Sequence, residues 1–115
     1  MAAFLSDAWF AELETKAGNA SPPTELDFTL EQVVDGDPTE SWQVQIRDGR
    51  VRVVRDSDRE ADVRLRTDRT TATGIHAGEI SAQRAFLDGR LQIGGEVQAL
   101  MNHREALAEL GLGLA

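Results

Sequence analysis

The sequence contains no cysteine and no long apolar run, and each of these shortages excludes a class of function. Without cysteine, the chain of 115 residues can form neither disulfides nor thiolate metal sites. No apolar segment approaches the roughly 20 residues that a membrane-spanning helix needs. The net charge of -8 at pH 7 disfavours nucleic-acid binding, because contacts to phosphate require clustered basic residues. We therefore expect no nucleic-acid partner and no membrane span.

The N-terminal residues do not resemble a secretory signal peptide. They carry no basic segment, and Asp7 interrupts the apolar stretch. We therefore expect a cytoplasmic protein. A chain of this length favours one domain, which we expect to span residues 1–115.

Hydropathy patterning divides the chain into helical and extended parts. A helix is predicted over residues 4–17, where apolar side chains recur every four residues at Leu5, Trp9, Leu13 and Ala17. The period then changes to two. Alternating segments predict four strands within residues 26–30, 42–46, 50–55 and 61–66. Such alternation is typical of an antiparallel sheet with one covered face and one hydrated face.

The second half of the chain is predicted to be mostly helical. Thr67 or Asp68 can begin one short helix and Ser81 another. A short fifth strand is predicted at residues 91–93, and a last helix over residues 96–110. The predicted fold class is α+β, a five-stranded, mainly antiparallel sheet with helices covering one face.

Motifs of catalysis and metal binding are missing from the sequence. There is no nucleophile elbow, no P-loop and no dinucleotide-binding glycine pattern. The two histidines, His76 and His103, have no second ligand at metal-binding spacing and are interpreted as surface residues. The acidic turns lack the register of a calcium loop. We therefore expect no enzyme activity, no metal and no cofactor.

Arginines alternate along two of the predicted strands, at Arg50, Arg52, Arg64 and Arg66. They form either an anion-binding patch or the hydrated face of the sheet, cross-paired with acidic neighbours. The sequence favours the second interpretation.

The segment from Ser81 to Glu96, SAQRAFLDGRLQIGGE, resembles the motif of sterol carrier protein-2 (SCP-2) domains. That motif contains a glutamine, an Ala-Phe pair, a glycine and an alternating Leu-x-Ile strand that ends in glycine. The matching residues are Gln83, Ala85, Phe86, Gly89, Leu91, Ile93 and Gly95. The order of elements over residues 1–110 is also similar. Ala82, Arg90 and Glu96 depart from the usual Pro, Lys and Asn or Asp, which leaves the fold unaffected.

The resemblance implies a non-enzymatic carrier that holds a sterol, fatty acid or fatty acyl-CoA in an apolar tunnel between sheet and helices. The motif implies ligand contacts from Phe86 and Leu87, together with Ile75 of the preceding helix. Helical periodicity adds Leu100, Met101 and Leu107 as a far wall. Gln83 either presents its amide to a ligand head group or bonds to its own helix. Phe86 either contacts ligand or belongs to the core.

Two other functions are compatible with the sequence. The same fold with a filled core would be an interaction module, with a lipid-metabolising enzyme as a partner. A small α+β cyclase or isomerase would need an Asp–His pair inside its pocket. The predicted inward positions of the strands are apolar, so the enzyme hypothesis is the weaker of the two.

Overall fold

The computed structural model describes residues 3–103 and residue 105. A helix is followed by four strands, two short helices, a fifth strand and a further helix, which is the predicted order. The elements are α1 Asp7–Asn19, β1 Phe28–Asp35, β2 Glu40–Arg47, β3 Arg50–Arg55, β4 Val63–Asp68, α2 Arg69–His76, α3 Ala82–Leu87, β5 Leu91–Gly95 and α4 Val97–Asn102.

The five strands form one sheet in the order β3-β2-β1-β4-β5. Three neighbouring pairs are antiparallel, whereas β1 and β4 run parallel with Leu30 opposite Val63. The sheet is therefore mixed but mainly antiparallel, which confirms the predicted fold class. Period-two alternation specifies the face of a side chain and not the partner of a strand, so it does not predict the parallel pair.

The predicted hairpin between β2 and β3 is confirmed. Asp48 and Gly49 form its two-residue turn, and their φ angles are 54° and 73°. Positive φ at both central residues is the geometry of a tight turn that matches the twist of the flanking strands. The turn places Arg47 directly opposite Arg50.

Residues 56–62 carry the chain from β3, at one edge of the sheet, to β4 on the far side of β1. This crossover runs over the face of the sheet that points away from the core. The side-chain amide of Gln43, on that face of β2, donates to the carbonyl of Arg59 at 2.5 Å. The N–H of Asp62 donates to the carbonyl of Thr29 at 2.9 Å. The crossover therefore buries the centre of the outer face, and Gln43 is fully buried beneath it.

Helix α1 covers the β2–β3 end of the inner face. Its predicted apolar stripe is buried, and Phe10 lies 5.4 Å from Trp42 between ring centroids. The helix begins at Asp7, three residues later than predicted at residue 4. Leu5 has a φ of 67°, and the Ser6 hydroxyl accepts from the N–H of Trp9 at 3.1 Å, which caps the helix there.

The capping residues predicted for the next two helices are confirmed. The carboxylate of Asp68 accepts from the N–H of Thr71 at 2.9 Å, and the hydroxyl of Ser81 accepts from the N–H of Arg84 at 3.0 Å. The side-chain and backbone hydrogen bonds from Thr71 lower the pKa of the Asp68 carboxyl. Local polar residues thus decide where these short helices begin.

The last predicted helix, residues 96–110, is described only at its start. Helix α4 ends at Asn102 and His103 follows as its C-cap. Residue 104 and residues 106–110 of the predicted helix lie outside the described residues. Among the described helices, none is long and apolar enough to cross a bilayer.

Two adjacent glycines at the end of β5 provide a matched test of this fold. Gly95 has a φ of 84°, and a Cβ there would collide with the carbonyl oxygen of Asp62; a Cβ on Gly94 would meet open space. We expect Gly95→Ala to lower the free energy of unfolding by about 2 kcal/mol or more, from backbone strain and the clash. Gly94→Ala should change it by less than about 1 kcal/mol. Urea denaturation of both variants measures the difference, and equal effects would contradict the observed pairing of β5.

Candidate functional site

The inner face of β1, β4 and β5 forms a continuous apolar floor. It consists of the buried side chains of Phe28, Leu30, Val63, Leu65 and Leu91. These residues alternate with polar ones, so each strand turns one apolar row toward the helices. Helices α2, α3 and α4 lie over this floor.

Among the described residues, α3 and α4 each bury one side chain against the floor, and Ala82 and Ala99 pack there half-buried. In α3 the buried residue is Ala85, and in α4 it is Leu100. A helix of six residues, such as α3, is unstable by itself, so its position depends on this docking. Both helices lie at the β4–β5 edge of the sheet, where α3 contacts β5 and α4 contacts β4.

The large apolar side chains that the structure exposes are concentrated on these two helices. Within residues 3–103 and 105, they are Phe86 at 46% exposure, Leu87 at 71%, Val97 at 39% and Met101 at 55%. Single exposed apolar residues are ordinary on protein surfaces, whereas these four occur as two pairs, one on α3 and one on α4. We call these four residues the apolar mouth.

The ligand-binding residues predicted from the sequence occupy different environments. Phe86, Leu87 and Met101 belong to the apolar mouth, whereas Leu100 is buried at 8% exposure. Ile75 of α2 is half-buried and packs against the core. Leu107 lies outside the described residues. That these residues bind a ligand stays a prediction.

Gln83 is exposed on α3. Its amide makes no hydrogen bond to another described residue, and Ser81 rather than Gln83 caps the helix. The side chain is thus available to a polar group near the apolar mouth.

Two polar groups on the inner face were not among the predicted site residues. Gln32 and Trp42 are fully buried and lie opposite each other in β1 and β2. The indole N–H of Trp42 is buried without a hydrogen-bond partner among the described residues. The alternation of β1 continues past residue 30 to position 32, and this signal in the sequence marks Gln32 as inward.

His76 is exposed, as the sequence interpretation has it, and His103 is half-buried; the ring of each contacts an aromatic side chain. The ring of His76 stacks on Phe4 with centroids 4.5 Å apart, and the ring of His103 lies 5.5 Å from that of Phe28. Within the described part of the chain, no group of three or more His, Asp or Glu residues could hold a metal ion.

The SCP-2 sterol transfer family model matches residues 9–108 of this chain. No curated protein matches the sequence. Several solved structures have the same fold. A crystal structure of sterol carrier protein 2 superposes with a TM-score of 0.71 at 20% identity, covering 94% of each chain.

Two further structures extend the comparison. A conserved hypothetical protein from Thermus thermophilus gives a TM-score of 0.70 at 20% identity, covering 94% of this chain and 85% of that one. Palmitated SCP2L2 from Aedes aegypti, solved by NMR, gives 0.64 at 15% identity, covering 86% of this chain and 88% of that one. At these identities the likeness shows the fold.

Leu100 and Met101 are neighbours in α4, but only Leu100 is buried, so substitutions at the two positions compare a core side chain with an exposed one. We expect Leu100→Ala to cost about 2–5 kcal/mol in the free energy of unfolding, because it leaves a cavity in the core. We expect Met101→Ala to change stability by less than about 0.5 kcal/mol, since most of that side chain is already in water. Thermal unfolding by circular dichroism measures both. Similar losses in the two variants would show that α4 is rotated relative to its observed orientation.

Proposed function

The chain belongs to the SCP-2 sterol transfer family, and on that premise we propose that it binds and carries a hydrophobic ligand without catalysing a reaction. The ligand class is a sterol, fatty acid or fatty acyl-CoA. The binding region lies between the inner face of the sheet and helices α2, α3 and α4. The observation that carries this proposal is the apolar mouth of Phe86, Leu87, Val97 and Met101.

An acyl chain supplies enough free energy for such binding. Removing one methylene from water is worth about 0.8 kcal/mol, so about 16 methylenes provide roughly 13 kcal/mol. After an association cost of about 5 kcal/mol, roughly micromolar affinity remains. Contacts with a nucleophile or a metal are not needed for this affinity.

Each proposed ligand residue has a distinct role. Phe86, Leu87 and Met101 contact the ligand as it enters, and the flexible thioether of Met101 adapts to its shape. Ile75 and Leu100 form the wall behind them. Gln83 donates or accepts a hydrogen bond at a polar head group. Leu107 is proposed from helical periodicity alone.

Other features of the proposal rest on the sequence. We propose a cytoplasmic location and a lipid-metabolising enzyme as a partner that supplies or receives the ligand. The chain's net charge of -8 supports the proposal that nucleic acid is not a partner. The alternative function is an interaction module with a filled core, and it differs from the carrier in one measurable property, the binding of an apolar ligand.

Substitution of Leu100 by Trp tests the carrier against the filled core. In a carrier, the larger ring occupies ligand space, so we expect Leu100→Trp to abolish binding of NBD-labelled stearate while the melting temperature stays nearly constant. Gln98→Trp is the matched control, because Gln98 is exposed on the same helix. It should leave both binding and stability unchanged. Fluorescence titration and thermal unfolding provide the two measurements.

The filled core predicts the opposite result. Wild-type protein would then bind no probe, and Leu100→Trp would overpack the core at a cost of about 1–3 kcal/mol. That combination would reject the carrier function and favour the interaction module.

A further inference from the structure

A second candidate site lies on the outer face of the sheet, opposite the helices. It is a groove of about 460 Å³ between β2, β3 and the crossover of residues 56–62. This volume is within the range of small-molecule sites, about 300–1,000 Å³. Its lining includes four arginines and two aspartates, Asp27 and Asp48, which gives a net charge of +2. We call it the arginine groove, after Arg47, Arg50, Arg52 and Arg59.

The register of the sheet brings these arginines together. Arg47 lies directly opposite Arg50, and Arg52 lies opposite Gln45. Cross-strand partners point to the same face, and so do residues two apart in a strand. The crossover adds Arg59, whose carbonyl is fixed by the amide of Gln43. Three separate segments therefore contribute a guanidinium to one groove.

At the other end of the same face, Arg64 and Arg66 are each paired with a carboxylate. Arg66 donates two hydrogen bonds of 2.9 Å to Asp35, and Arg64 donates to Glu31. The bond between Arg66 and Asp35 lowers the pKa of the carboxyl and raises that of the guanidinium. The sequence analysis interpreted the alternating arginines as a hydrated face paired with acidic neighbours, and this interpretation holds for Arg64 and Arg66.

The arginine groove lacks such pairing. Arg47 approaches Asp27 only at 3.8 Å, with both side chains largely exposed. Arg50, Arg52 and Arg59 form no ion pair with any described residue. Like charges directly opposite each other destabilise a strand pair. A chain with a net charge of -8 nevertheless concentrates unpaired positive charge at this place.

We propose that the arginine groove binds the phosphate group of a phosphate monoester or diphosphate. Guanidinium groups match phosphate oxygens with paired N–H donors. A phosphate carries about 1.5–2 negative charges and three strong acceptor oxygens in a compact group. It can therefore pair with several arginines of the groove at once, which a single carboxylate cannot. This site lies on the opposite face of the sheet from the apolar mouth and does not depend on the carrier function.

Inorganic pyrophosphate is the probe for the first experiment. Isothermal titration calorimetry at low ionic strength should show saturable, one-to-one binding that weakens as salt is added. Arg50→Gln and Arg52→Gln should each weaken binding by at least about tenfold, because each removes a charge-assisted donor pair. Pyrophosphate should also raise the melting temperature of the wild type, since it binds the folded chain.

Arg66→Gln is the matched control. It removes the same charge from the same face, but its guanidinium belongs to the pair with Asp35. We expect it to change the affinity for pyrophosphate by less than about twofold, because Arg66 does not line the groove and its guanidinium is already paired with Asp35. Equal losses in Arg52→Gln and Arg66→Gln would show a diffuse charge effect and overturn the proposal. Failure of the wild type to bind pyrophosphate would overturn it as well.

Vesicles distinguish the two sources of the phosphate. Sedimentation with phosphatidic acid vesicles, but not with pure phosphatidylcholine vesicles, together with loss in Arg52→Gln, would identify a lipid head group. Pyrophosphate binding without vesicle binding would identify a soluble phosphate ester. Either result supports the arginine groove, and neither requires that the protein bind NBD-labelled stearate.

Discussion

The arrangement of the sheet depends on Asp62, which fixes how β4 lies beside β1. Its N–H donates to the carbonyl of Thr29 at 2.9 Å, and its carboxylate accepts from the N–H of Thr29 at 2.7 Å. Its carbonyl accepts from the N–H of Glu96 at 2.8 Å, which ties the end of β5 to the same point. A register slip of one residue would turn every side chain of a strand to the other face. These three bonds therefore help decide which residues of β4 and β5 reach the core.

The same crossover gives the two faces of the sheet different chemistry. Both β3 and β4 run parallel to β1, so the chain must pass over the sheet between them. It passes over the outer face and leaves the inner face to the helices. At the centre it buries Gln43, Thr29 and Glu31, and the amide of Gln43 donates both to Glu31 and to the carbonyl of Arg59. Toward the β2–β3 turn the cover ends, and the arginine groove opens there.

Local sequence signals predicted most of the fold because they act over a few residues. Alternation identified the strands, Asp48-Gly49 identified the hairpin, and Asp68 and Ser81 identified two helix starts. Such local signals could not predict that β1 pairs with β4 in parallel, because this pairing depends on a crossover between segments that are distant in the sequence. The ion pairs of Arg64 with Glu31 and of Arg66 with Asp35 follow from that pairing. Glu31 lies opposite Arg64 only because β4 lies beside β1.

The candidate ligand residues were harder to assign, for a physical reason. A helix of six residues makes fewer than two turns, so its periodicity does not define a single buried face. The motif that contains Phe86 and Leu87 thus pointed to α3 without indicating how far each side chain is exposed. At 46% and 71% exposure, both are further from the core than a closed tunnel would place them.

The helices of the fold differ in how much of each is anchored to the core, and this difference bears on the proposed ligand site. Helix α1 has 13 residues and buries four of them, whereas α3 has six and buries one, and the six described residues of α4 also include one that is buried. Burying a single alanine methyl or leucine side chain contributes about 1–3 kcal/mol, a small part of the stability of a domain. Local opening costs least where few apolar contacts hold an element. Helix α3, with one buried residue, also carries Phe86 and Leu87 as exposed side chains, and under the proposed function a hydrophobic ligand would bury them.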